Sequence, residues 1–254
     1  MKRLLTLLTL LCLLLCGCAA PLSEEPEEPD EPEAPPAQEE PERPLHSPFY
    51  LEGVSVDDVI LYFSEVCLDA EVSDSGDPTV IQRWEDPIFY KLHGDYTDAD
   101  AALIEDFARW LNTMETPNNF LGLWESREDT EPNLNIYFCT PDEMATRIGD
   151  WTRDCDGAFT YWYTDNVVYD AIICCRSDAE GELRTSVILE EIYNSLGPVQ
   201  DTSLRSDSIA YAEFSTPQQL SAIDELILEL LYHPDMNCGM NAEECAELIR
   251  ELYY

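Results

Sequence analysis

The residues with the clearest potential for chemistry are Glu190, Glu191 and Asn194, in the segment RTSVILEEIYNSLG at positions 184–197. A zinc hydrolase carries His-Glu-x-x-His on such a helix, with the glutamate as general base. The i, i+4 spacing puts Glu190 and Asn194 on one helix face, whereas adjacent residues such as Glu190 and Glu191 do not face each other. We therefore expect one glutamate to be buried or hydrogen-bonded and the other to be solvated.

The donor atoms at these positions are unusual for zinc. Catalytic zinc needs about three protein ligands, typically with imidazole among them, and an open position for water. Glu190 and Asn194 stand where both histidines would be, and oxygen-rich sites suit calcium or magnesium better than zinc. We interpret the three histidines of the chain as surface or capping residues: His46, His93 and His233. No cofactor is expected, and Glu191 would be catalytic only in an active enzyme with zinc bound.

The segment around these residues has a helical pattern with a clear end. Its apolar and small residues recur at helical spacing, which predicts that this side of the helix faces the core. They are Val187, Ile188, Ile192, Ser195 and Leu196. Gly197 can take the left-handed position after a helix, and Pro198 cannot continue it, so the helix should end there.

Two strand-like runs precede this helix. Residues 158–163 and 167–175 are joined by Asp165 and Asn166, which favours a β-hairpin. The second run is apolar nearly throughout, as in a central strand. The first run ends in aromatic residues that either line a ligand groove or pack in a β-rich core. They are Phe159, Tyr161, Trp162 and Tyr163.

The rest of the folded part alternates strands and helices, which predicts an α/β (α+β) fold over residues 48–254. Strands are expected at residues 84–92 and 133–139. Helix starts are indicated by capping residues and by proline at the first helical position. These starts are Ser55 with Asp58, Thr97, Thr140 with Pro141 and Glu143, Thr216 with Pro217, and Asn241 with Glu244. The helix that starts at Thr216 should end at His233-Pro234, and the last helix should be short.

Residues 1–17 have the pattern of a signal peptide. Lys2 and Arg3 precede an apolar run of about a dozen residues, too short to span a membrane, which takes roughly twenty. The run ends in Leu-Cys-Gly-Cys, which resembles a bacterial lipobox with Cys18 as the lipidated residue. The alternative is an ordinary secretory signal. The lipobox predicts a mature chain that is anchored to the membrane and does not span it.

Acidic residues dominate the rest of the chain. Residues 18–47 contain ten acidic residues and repeated proline, a composition typical of a disordered, extended linker. The formal net charge of the whole chain is −40. This argues against nucleic-acid binding, which needs a basic surface, and against docking on an anionic membrane.

The cysteines of the folded part do not form a metal-binding motif. No CxxC pair with zinc-ribbon spacing occurs among Cys67, Cys139, Cys155, Cys174, Cys175, Cys238 and Cys245. An exported protein can form disulfides, and Cys238 with Cys245 is the nearest pair apart from the adjacent Cys174 and Cys175. The odd number leaves at least one thiol free.

Five segments together resemble a known family. They are FSEVCLDAEV (63–72), RWEDPIFYKLHG (83–94), LEEIYNSLGPVQD (189–201), DSIAY (207–211) and LSAIDELILELLYHPDMNCGM (220–240). In this order they are similar to a bacterial exported family, domain of unknown function 2927, whose core resembles zincin metalloproteases. The resemblance implies a zincin-like mixed sheet, an active-site-type helix and a helical C-terminal part.

The same resemblance assigns roles to individual residues. Glu191 matches the general-base glutamate, and Glu190 and Asn194 replace the two histidines. The segment Ser208-Ile-Ala-Tyr resembles a methionine turn in which Ala210 stands for the methionine. The resemblance therefore implies a degenerate site.

These inferences lead to one main hypothesis and two alternatives. The main hypothesis is a lipid-anchored, extracytoplasmic protein at the cell membrane, with a non-catalytic module that binds an unknown protein or peptide ligand. The first alternative is a divergent metallopeptidase with an atypical metal site. The second is a solute-binding lipoprotein, although the chain is short for two lobes.

Overall fold

The structure, a computed structural model, describes residues 47–68, 79–114, 119–212 and 217–254. The predicted signal peptide, the lipidation site Cys18 and residues 18–46 of the predicted linker lie outside the described residues. So do Ala70, on the apolar face of the helix predicted to start at Ser55, and Thr216, predicted to start another helix.

A six-stranded mixed sheet forms the centre of the fold. In chain order its strands are β1 (Arg83–Trp84), β2 (Ile88–Gly94), β3 (Leu123–Glu125), β4 (Leu134–Cys139), β5 (Gly157–Thr164) and β6 (Val167–Arg176). Across the sheet the order is β5-β6-β4-β2-β3, and β1 pairs with the first two residues of β6. All pairings are parallel except the antiparallel pairing of β5 with β6. The α/β prediction is confirmed.

The predicted hairpin joins β5 to β6. Asp165 and Asn166 form its two-residue turn with φ values of 53° and 65°. Both residues have the left-handed backbone conformation, as in a type I′ turn, whose twist matches that of the two strands. Asp and Asn tolerate this conformation well. β6 then runs between β5 and β4, so the apolar run predicted as a central strand is one.

The described residues contain six α-helices, which pack on the sheet. They are α1 (Val56–Leu68), α2 (Asp98–Leu111), α3 (Pro141–Arg147), α4 (Gly181–Ser195), α5 (Ala222–Leu231) and α6 (Ala242–Tyr253), with a 3₁₀ turn at Asp150–Asp154. The predicted caps Thr97, Thr140 and Asn241 each form a reciprocal capping box with the third helical residue. Ser55 exchanges the same two bonds with Asp58. These four helix starts were correctly predicted because a capping box is a local pattern.

Three predicted boundaries were wrong. α5 begins at Ala222, because Ser221 caps it with Asp224 as the reciprocal partner, and residues 217–221 precede the helix. The single strand expected at 84–92 is two strands, interrupted before Ile88 where Pro87 has no N–H to donate. The last helix, α6, has 12 residues and is not short.

The two faces of the sheet are covered unequally. Alternate residues of β4 and β6 point into the main core, where Ile136 and Ile173 are fully buried. On the opposite face a smaller cluster of Cys139, Met144, Ala158 and Cys174 is covered by α3. α4 packs against β5 and β6, which places its glutamates beside the antiparallel edge of the sheet.

Candidate functional site

Helix α4 follows β6 directly and is fixed at its N-terminal end by an ion pair. Arg184 donates from Nε and Nη2 to the two carboxylate oxygens of Asp100, each at 2.8 Å. Asp100 also accepts bonds from Thr97, which caps α2. Burial disfavours the charged carboxylate, but the bonds from Arg184 and Thr97 outweigh burial and lower the pKa of Asp100. The pair therefore links the starts of α2 and α4.

The C-terminal end of α4 is fixed by bonds to its last carbonyls. Trp84 Nε1 donates to Ser195 O at 2.8 Å, and Tyr232 OH donates to Leu196 O at 2.6 Å. Gly197 follows with a φ of 130°, and its N–H bonds to Asn194 O at 3.1 Å. The predicted end of the helix at Gly197 is confirmed. The last carbonyls of a helix have no partner within it, and here two of them accept bonds from the side chains of Trp84 and Tyr232.

Glu191 lies in a tight space beneath the start of β5. Its side chain is 7% exposed. A β-carbon built on Gly157 would stand 2.4 Å from Glu191 Oε1 and 2.6 Å from Val187 Cγ1. A side chain at residue 157 would therefore require Glu191 and Val187 to shift. Burial, with the charges of Glu190 and Asp201, raises the pKa of Glu191 well above its ordinary value.

Glu190 is half-buried on the same side of α4. Burial, followed by the charges of Asp201 and Asp156, raises the pKa of Glu190 to about 8. The expectation that one of the two glutamates is solvated was therefore wrong. Both are drawn out of water, because the start of β5 and the segment after α4 close over them.

Asn194 adds a third oxygen to this face. It is 5% exposed, and its Oδ1 has no hydrogen-bond partner among the residues that the structure describes. Asn194 lies between Glu190 and Glu191 around the helix axis, about 40° from the first and about 60° from the second. Helical side chains lean back toward the N-terminus, so its amide is directed over the turn that carries the glutamates.

Sequence reasoning missed the residues that complete the surroundings. Asp156 precedes β5 and Asp201 follows α4, and their charges act on Glu190. Arg176 approaches Asp156 at 3.7 Å. Cys155 lies close enough that burial and the charge of Glu191 raise the pKa of its thiol. Of these residues, only Asp201 could have been associated with the site from the sequence, because it lies four residues after the glycine that ends α4.

The side chains at this site do not fit a catalytic zinc ion. The α4 face offers carboxylate and amide oxygens, whereas His93 bonds Asn135 Oδ1 at 2.9 Å on β4 and His233 accepts a bond from Asp235 N beyond α5. Within the described ranges no three metal-binding side chains are grouped closely enough to hold an ion. All seven cysteines from Cys67 onward are free thiols, including Cys238 and Cys245.

The segment Ser208–Tyr211 is held by one buried carboxylate on α5. Asp224 is fully buried and accepts bonds from Ser208 Oγ at 2.7 Å and Ile209 N at 3.0 Å. Asp224 also accepts hydrogen bonds from Tyr62 OH at 3.0 Å and from the backbone N–H and the hydroxyl of Ser221. Ala210 is fully buried in the core. The segment DSIAY (207–211) is therefore held in place by hydrogen bonds to α5 and has a structural role.

The outer edge of β5 is open. β5 pairs only with β6 among the described strands. Arg176 N donates to Asp156 O at 2.9 Å, so Asp156 and Arg176 are a hydrogen-bonded pair of the antiparallel ladder. Along the two strands, hydrogen-bonded pairs then alternate with pairs that form no hydrogen bonds to each other. Ala158, Thr160 and Trp162 therefore exchange bonds with β6, whereas Gly157, Phe159 and Tyr161 direct their N–H and C=O groups outward.

The aromatic residues of β5 divide between the core and the surface. Phe159 and Tyr161 pack against the core, and Tyr161 OH donates to Gln82 Oε1 at 2.8 Å. Trp162 and Tyr163 are 41% and 50% exposed near the hairpin turn. The core prediction is confirmed for Phe159 and Tyr161, whereas the ligand groove stays a prediction, with Trp162 and Tyr163 exposed.

Comparison with known proteins places the chain in a family. No described helix has both the length and the apolar character needed to cross a membrane. No curated protein matches the sequence. The model of one family, described as Protein of unknown function (DUF2927), matches residues 57–251, and the chain belongs to that family.

Proposed function

We propose that this protein is a lipid-anchored, extracytoplasmic binding module whose zincin-like domain binds an extended peptide segment along β5 without cleaving it. The observation that carries the proposal is the open edge of β5 beside the glutamate-bearing face of α4. Peptides bind such edges by adding a strand, with main-chain bonds for affinity and side-chain contacts for specificity.

The zincin-like part of the proposal is supported by the order of the elements. A mixed sheet with one antiparallel strand leads through β6 into α4, and Glu191 occupies the general-base position of the resemblance. The absence of cleavage is proposed from the donor set, because Glu190 and Asn194 supply oxygens where a zinc hydrolase needs imidazoles.

The location is proposed from the N-terminal sequence. The apolar run and the lipobox ending at Cys18 support a lipid anchor, and the acidic linker would hold the domain away from the membrane. A Cys18→Ala variant should lose fatty-acid labelling and membrane fractionation. Continued labelling of this variant would contradict the lipid anchor.

A peptide array tests the binding function. The full chain, purified in detergent, is applied to an array of random dodecapeptides, and bound peptides are mapped by hydrogen exchange. We expect the amides of Gly157, Phe159 and Tyr161 to become protected, since their N–H groups point to the open edge. Protection confined to other regions, or no peptide binding at all, would contradict the proposal.

A proline substitution at Phe159 sharpens this test. Phe159→Pro removes an outward N–H and leaves the β6 pairing intact, since proline is tolerated where the N–H faces away from the sheet. Phe159→Ala is the matched control, because it also loses the ring but keeps the N–H. We expect the proline variant to bind peptides at least tenfold more weakly than the alanine variant.

Peptide hydrolysis is the second candidate. The position of Glu191 and the raised pKa of its carboxyl favour it, because a general acid or base is often tuned in this way. The untagged protein from zinc-supplemented medium is assayed for bound metal and for cleavage of the same peptides. Cleavage that stops with a chelator or with Glu191→Gln would establish a peptidase.

A further inference from the structure

We infer that the face of α4 formed by Glu190, Glu191 and Asn194 binds a cationic side chain, lysine or arginine, of the peptide that pairs with β5. The inference rests on the proposed function, since it names the chemical class of the ligand at the same site. Three features of the site point to a cation: the bonding capacity of the α4 face, its position relative to β5 and the surrounding charge.

The α4 face offers hydrogen-bond acceptors without matching donors. Asn194 Oδ1 is buried and has no partner among the described residues, and the half-buried Glu190 and the buried Glu191 lie beside it on α4. A buried acceptor without a donor destabilises a protein, so native structures rarely leave one unexplained. Ammonium and guanidinium groups consist only of donors, so they complement such a face.

The position of Gly157 brings this face within reach of a peptide on β5. Gly157 contacts Glu191 and is also the first β5 residue whose backbone groups point outward. A strand paired to that edge has alternate side chains on the same side of the sheet as Glu191. Glu191 fills the space that a side chain at residue 157 would take, so a ligand side chain on this side of the added strand would meet Glu191 at the sheet edge, with Glu190 beside it on α4.

The surrounding charge favours a cation over a neutral group. Glu190 and Glu191 are adjacent acids on α4, and the charges of Asp156 and Asp201 reach Glu190 from the two flanking segments. The nearby cation, Arg176, lies 3.7 Å from Asp156 and 2.7 Å from Asp178, so two carboxylates already share its charge. Burial favours the protonated carboxyls in the free protein, and a bound arginine or lysine would favour the carboxylates through charge-assisted bonds, which are roughly twice as strong as neutral ones.

The test compares peptides that differ in one charge. Each dodecapeptide bound by the full chain is resynthesised with citrulline for arginine or norleucine for lysine, one position at a time. We expect one position at which this change weakens binding at least tenfold in calorimetry. Glu190→Gln should reduce that discrimination to less than threefold, whereas Glu182→Gln, an exposed acid in the first turn of α4, should preserve it.

Asn194 supplies a second pair of variants, which applies even where Glu190→Gln folds poorly. Asn194→Leu removes the acceptor and should lose the charge preference, and Asn194→Asp keeps an acceptor and should retain it. Peptides that bind β5 with equal affinity whatever their charge would overturn this inference and leave the proposed function standing. No peptide binding would overturn both. Calcium or magnesium bound by the full chain and lost in Glu190→Gln would show a metal site instead.

Discussion

Gly157 on β5 and Glu191 on α4 approach so closely that the Glu191 carboxyl occupies the space where any other residue would place its β-carbon. The contact joins the antiparallel edge strand to the helix that carries the candidate site. It explains why a glycine begins β5, since no unusual backbone angle requires one there. Edge strand and helix are therefore positioned as one unit.

This contact gives the first prediction. Gly157→Ala would press a methyl group against Glu191 and Val187, and overpacking of this kind destabilises a protein by about 1–3 kcal/mol. Urea unfolding measures the change. In a double-mutant cycle, adding Val187→Ala should recover part of the loss by creating space. Equal stability of Gly157→Ala and the unchanged protein would show that the contact is loose.

The second prediction concerns pH and Glu190. Its pKa rises from an ordinary 4.5 to about 8 in the folded protein, so the folded state holds an extra proton between these values. Stability should fall as pH rises through this window and stay lowered above it. Glu190→Gln removes the ionisation, so the variant should match the unchanged protein near pH 4.5 and exceed it by about 2–4 kcal/mol above pH 8.

Unfolding free energies measured from pH 4.5 to pH 9 check this prediction. Glu182→Gln is the matched control, because it removes an exposed acid from the same helix. Its stability curve should run parallel to that of the unchanged protein. A Glu190→Gln curve with that same slope would mean that Glu190 ionises freely in the folded state.

The third prediction tests the ion pair of Arg184 and Asp100. Their side chains are 12% and 6% exposed, and removal of one partner from a buried pair destabilises by about 3–5 kcal/mol. Arg184→Met should show this loss in urea unfolding. The pair of Arg109 and Glu105 is the control, because both side chains are more than half exposed and Arg109→Met should change stability by less than about 1 kcal/mol. Similar losses in both variants would refute the special role of Arg184.

The fourth prediction concerns the carboxylate of Asp224. Asp224→Asn replaces one acceptor oxygen with an NH₂ group that faces donors of Ser208, Ile209 or Ser221, so we expect a loss of about 3 kcal/mol or more. Ser221→Ala, which removes only the cap, should lose about 1 kcal/mol. Thermal unfolding of both variants, with near-ultraviolet circular dichroism for the tyrosine environment, distinguishes them. Equal losses would reduce Asp224 to a helix cap.

The sequence predicted the parts of this fold that depend on neighbouring residues. Local patterns identify the helix caps at Thr97, Thr140 and Asn241 and the hairpin turn at Asp165, so the sequence alone was enough to predict them. The same reliance on local patterns produced the error at Thr216, where a plausible helix start lies ahead of the real cap at Ser221.

The surroundings of the candidate site could not be predicted in this way. Glu190, Glu191 and Asn194 were identified from one helix, but the approach of Asp156 and Gly157 depends on which strand lies at the edge of the sheet. Strand order is decided by pairings between distant segments, such as Leu134 with Ala171. The burial of both glutamates follows from this packing, and no spacing in the sequence encodes it.

The hairpin also has a consequence for how the chain folds. Its two-residue turn lets β5 and β6 pair within about 1–10 µs, whereas the parallel pairings of β2 and β4 must close long loops and form more slowly. The open edge of β5 is thus present early, and such edges are where unfinished molecules join into intermolecular sheets. A net charge of −40 makes nascent copies repel one another. The acidity of the chain therefore opposes aggregation through this open edge, during folding and afterwards.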